Sequence, residues 1–148
     1  MLNISDAAEN SGSIQGQVVT ITVMLIFSII VGWGLLAGSI APAQGSLWLG
    51  VACLFPIGWY CYGYLRVSDS IQSNALLVNI IGWVFVATGF LVHYKAVLEA
   101  DPGTLLSAIS TTPSVALLLA ALFILLIGGL LSWQATTKPQ SLETEPTP

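Results

Sequence analysis

The chain has 148 residues, of which 55% are hydrophobic and only 7% charged, with a mean hydropathy of +0.88 and a formal net charge of −4. A soluble globular chain carries about 25% charged residues, so this composition argues against a water-soluble fold. With three Lys and Arg in all and no basic cluster, it also argues against nucleic acid as a partner and against a polybasic anchor for anionic headgroups.

Residues 1–17 are polar and acidic. They lack the positive region of a secretory signal, and the apolar run that follows is longer than a signal's core. An uncleaved tail is expected. Residues 18–40 hold no ionisable side chain and exceed the roughly 20 apolar residues that cover about 30 Å of hydrocarbon. This first span carries two small-xxx-small pairs, Ser28 with Gly32 and Gly34 with Gly38, of the kind that lets helix backbones approach closely.

A short turn containing Pro42 and Gly45 leads to the second span, residues 47–65, which makes the first two spans antiparallel neighbours. Pro56 is expected to bend this span and to free the carbonyl near Ala52. Cys53 and Cys61 are the only cysteines. Eight residues of straight helix separate them by about 12 Å, too far for a disulfide, which needs Cα atoms within about 7 Å. Two small buried side chains are expected. Trp48 opens the span, and Trp59, Tyr60, Tyr62 and Tyr64 close it before Arg66, a pattern of rings at headgroup depth.

The polar loop 66–74 gives way to a third span at residues 75–94. Asn79, Gly82, Val86, Gly89 and His93 recur on one face of a helical period and are expected to look into protein, since Asn and His are costly against lipid. Asn79 and His93 lie about 21 Å apart along the axis, so they belong to two places. His93 is the chain's only histidine. With Tyr94 it forms the candidate cofactor-binding position, for a pigment, a haem or a quinone. One histidine does not supply both axial ligands of a bis-His haem, and no cysteine lies near enough to build a metal site. Lys95 and Glu99 form an i, i+4 pair, and the sequence Asp101-Pro102-Gly103 is a strong stop signal. The charges of this stretch therefore mark a helix emerging into water. The connection that follows is apolar enough to lie on the membrane as a short interfacial turn.

Thr112 and Pro113 read as an N-cap followed by a first-turn proline, opening a fourth span at residues 114–133. Ala116, Ala120, Gly128 and Ser132 make a second small-residue stripe, and Trp133 closes the span. The stripes serve packing within the chain or docking of a foreign helix. The Thr-, Pro- and Glu-rich residues 134–148 bury too little apolar surface to order themselves.

The expected fold is an all-α integral membrane protein of four transmembrane helices with both termini on one side. Continuous apolar runs disfavour a barrel, whose strands alternate. Arg66 and Lys138 against Lys95 place the termini on the cytoplasmic side of a plasma, inner or thylakoid-type membrane. The four spans contain no Asp, Glu, Lys or Arg. That speaks against a proton-coupled transporter and against a pore selected by charged rings. The expected role is a non-catalytic accessory or scaffold subunit of a larger membrane complex, with a respiratory or photosynthetic assembly as a natural host. Its partners would be membrane lipid and other transmembrane subunits or a second copy. Two other classes stay open, a small-molecule or cofactor-binding protein using His93 and a self-associating channel or transporter.

Overall fold

The structure, a computed structural model, describes residues 13–99 and 112–137. Residues 1–12 and 138–148 of the expected tails, the stop signal at residues 101–103 and the connection leading to Thr112 lie outside the described residues, whereas residues 14–17 and 134–137, expected in the tails, are helical. Every regular element described is helical: α1 (Ile14–Leu36), α2 (Pro42–Ala52), α3 (Leu54–Tyr64), α4 (Ser70–Glu99) and α5 (Thr112–Thr137). α2 and α3 together form one membrane-length unit, Pro42–Tyr64, so four helices are long and apolar enough to cross a bilayer.

The helix ends follow local chemistry more closely than hydropathy. α1 starts at Ile14, earlier than its apolar run, because Ser13 is extended and its hydroxyl accepts from the Gly16 amide at 3.4 Å. It stops at Leu36 instead of Ile40. Gly38 adopts the left-handed conformation at φ +70°, and the amides of Ala37, Gly38, Ser39 and Ile40 turn back onto the carbonyls of Trp33, Leu35 and Gly34. These bonds satisfy the last carbonyls of the helix. Pro42, expected in a turn, is instead the first residue of α2, where its fixed φ suits a helix start and its missing N–H costs nothing.

Pro56 has the effect its chemistry requires. It offers no N–H to the Ala52 carbonyl, and the unit breaks at Cys53 between α2 and α3. Asp69 starts α4, its carboxylate accepting from the Ile71 amide at 3.3 Å. At 30 residues α4 is the longest helix. It runs about 45 Å and so outreaches about 30 Å of hydrocarbon. Lys95 and Glu99, 3.8 Å apart and largely exposed, sit on this overhang.

α4 is the central helix, packed against α5, α2 and α3, while α1 rests mainly on α2. Glycines decide the closest approach. A Cβ on Gly82 or Gly89 would strike Leu125 or Leu118 of α5, at 2.6 and 3.0 Å. Small positions on α4 thus receive large side chains of α5. The buried core gathers Met24, Cys53, Tyr60, Leu76 and Trp83, one or more from α1, α3 and α4 and from the break. The outer surfaces of α1 and α5 are studded with exposed Ile, Leu, Phe and Trp, such as Ile29, Trp33, Leu119 and Phe123, the surface a bilayer interior accepts.

Candidate functional site

Three groups of polar side chains lie inside the apolar bundle, two toward one end and one toward the other. The first joins α1, α4 and α5. Asn79 is almost fully buried, and its Nδ2 donates to the Ala75 carbonyl at 2.8 Å. A carbonyl only accepts, so this bond fixes the side-chain amide and turns Oδ1 toward α1. Gln17 therefore presents its Nε2, which donates to Asn79 Oδ1 at 3.2 Å and to Ser132 Oγ at 3.1 Å. Gly128 makes room for this arrangement. A Cβ there would lie 2.6 Å from Asn79 Oδ1.

A second chain of bonds runs beside the first. Thr20, fully buried, donates to the Gly16 carbonyl one turn before it. The Thr20 oxygen, 2.8 Å from the Tyr60 hydroxyl, is then the acceptor of that pair. The proton order therefore runs from Tyr60 through Thr20 to the Gly16 carbonyl. These two groups tie the start of α1 to α3, α4 and α5 at one end of the bundle.

Toward the other end, Ser46 of α2 lies with its Oγ 2.7 Å from His93 Nδ1 on α4. Ser46 is buried and also faces the Pro42 carbonyl at 3.4 Å. The imidazole is held at Nδ1, and no described residue bonds its Nε2. Tyr94 follows about 100° further round the helix and is half-buried. The structure therefore keeps Asn79 and His93 apart, each with partners of its own. Among the described residues no three His, Cys, Asp or Glu side chains converge on a point that could hold a metal ion.

The small-residue positions divide. Gly128 and Ser132 face inward against Asn79 and Gln17. Ala120 is half-buried and Ala116 exposed. On α1, Ser28 is exposed with its hydroxyl on the Met24 carbonyl, and Gly32 has open space where a Cβ would be. Gly34 is covered by the Ile40 side chain of its own chain. Gly38 is the turn glycine described above, with a conformational role.

Sequence reasoning missed Gln17, Thr20, Ser46 and the inward role of Tyr60. Gln17 falls one residue before the apolar run and reads as tail. Tyr60 belongs by sequence to an aromatic belt, yet it is 1% exposed while Tyr62 and Tyr64 next to it face out. Arg66 stacks over the Tyr62 ring, 4.9 Å from its centroid. A helical wheel of α1 placing Gln17 and Thr20 on one side was the available signal.

No protein-family model, no curated protein and no solved structure matches this chain.

Proposed function

We propose that this chain is a non-catalytic accessory or scaffold subunit of a larger membrane assembly. The observation that carries the reading is how its intramembrane polar groups are used. Gln17, Asn79 and Ser132 bond one another, Thr20 bonds Tyr60, and Ser46 bonds His93. Each pair joins two helices of the bundle. The polar side chains thus specify how the helices fit together, the use membrane proteins make of interhelical hydrogen bonds. Ala116 on α5 and Gly32 on α1 add small positions where a foreign backbone can approach. Photo-crosslinkers placed at Ile29 and Leu119, both about 60% exposed, test this in native membranes. Adducts to another transmembrane chain are expected. Adducts to lipid alone at both positions would overturn the reading.

A second reading, a ligand at His93, rests on the Ser46 contact. An imidazole anchored at one nitrogen by a second residue and open at the other is the arrangement that ligating histidines use. His93→Ala should then strip a pigment, haem or quinone from the purified protein and leave helicity unchanged, as read by absorbance and circular dichroism. Retention of the ligand in that variant would end this reading.

A further inference from the structure

α1 stands off from α5 along its middle, and a cleft of about 990 Å³ lies between α1, α4 and α5. Its walls are almost wholly apolar, with Met24, Leu25, Trp83, Phe90 and Leu125 among them, and Gln17 at one end. We propose that this cleft binds a neutral lipid whose head is a hydroxyl, with that hydroxyl donating to Gln17 Oε1.

Three observations select this occupant. The first is the donor inventory. Both Nε2 hydrogens of Gln17 are committed, to Asn79 Oδ1 and Ser132 Oγ, and the Ala75 bond forbids the flipped assignment. The remaining group is Oε1, which accepts from no described residue. It lies over Gly129, where a Cβ would be 3.4 Å away, and both residues line the cleft. A head that donates fits this oxygen; a quinone or ester carbonyl does not.

The second is charge. No lining residue is ionisable, so nothing in the cleft neutralises a phosphate or a carboxylate. The third is depth. From Gln17 to Ser28 the lining of α1 covers about 16 Å, which matches one leaflet of an approximately 30 Å core and falls short of the groove a spanning helix needs. The polar end lies at the start of α1 and the end of α5, where a lipid head belongs. Large apolar pockets with a few polar groups at fixed points are the usual form of small-molecule sites.

The test uses the full chain in phosphatidylcholine vesicles, whose headgroup carries no hydrogen-bond donor. A diazirine-bearing long-chain alcohol and its methyl ether are added in parallel at trace level, and labelled residues are located by mass spectrometry. The alcohol should label Met24, Leu25 and Leu125 at least fivefold more than the ether does. Gln17→Leu should reduce the alcohol to the ether's level. Gly129→Leu, which leaves the Gln17 bonds in place and fills the space beside Oε1, should do the same and keeps the test valid if Gln17→Leu fails to fold. Equal labelling by alcohol and ether, or labelling concentrated on the outer face at Leu119, would overturn the proposal. So would occupation of the cleft by a helix of another chain, seen as protein adducts from a crosslinker at Leu25.

Discussion

Gly34 and Gly38 show how two residues of one sequence motif acquire different roles. Both were legible as small residues at helix-packing spacing, but the spacing carries no record of φ. At Gly38 the backbone is left-handed, which costs an L-residue about 1–2 kcal/mol. Gly32, on the same helix, has open space and ordinary helical geometry. Gly38→Ala should therefore destabilise the protein by about 1–2 kcal/mol, while Gly32→Ala should be neutral or stabilising by up to about 1 kcal/mol. Reversible unfolding in mixed micelles reads both. Equal effects at the two positions would contradict the turn described here. Asn79 was legible as inward-facing from its period alone. Its partners were not, because they lie 62 residues away at Gln17 and, through Gln17, at Ser132.

At the scale of elements, hydropathy located four spans but misplaced their ends, because ends are set by caps. Ser13, Gly38, Pro42 and Asp69 each terminate or start a helix through one backbone conformation or one hydrogen bond. The break at Cys53 was foreseeable, since proline's effect on the carbonyl four residues back is local and covalent. The seating of α1 was not foreseeable from periodicity. α1 is apolar nearly all round, so its inward face is chosen by Gln17 and Thr20 and not by a stripe. A double-mutant cycle of Gln17→Ala and Ser132→Ala measures that choice. Interhelical bonds in membranes average about 0.6 kcal/mol, with a maximum near 1.7 kcal/mol, and a coupling in this range is expected. Additive losses would mean that the two side chains do not bond across α1 and α5.

At the scale of the whole molecule, an all-helical bundle combines polar side chains that bond across helices with wide apolar outer faces. The bundle was legible because a membrane span is a statement about composition and length. The use of the polar groups was not, because hydrogen-bond partners on different helices leave no spacing signal along the chain. Ser46 and His93 illustrate this: they lie 47 residues apart and meet at 2.7 Å. The proposal that the chain belongs to a larger assembly is tested most directly by gentle extraction of the native membrane, separation under native conditions and mass determination of the particle holding this chain. Co-migration with other transmembrane subunits in a particle many times heavier than the 15.6 kDa chain is expected. A uniform particle containing only copies of this chain and bound lipid would contradict it.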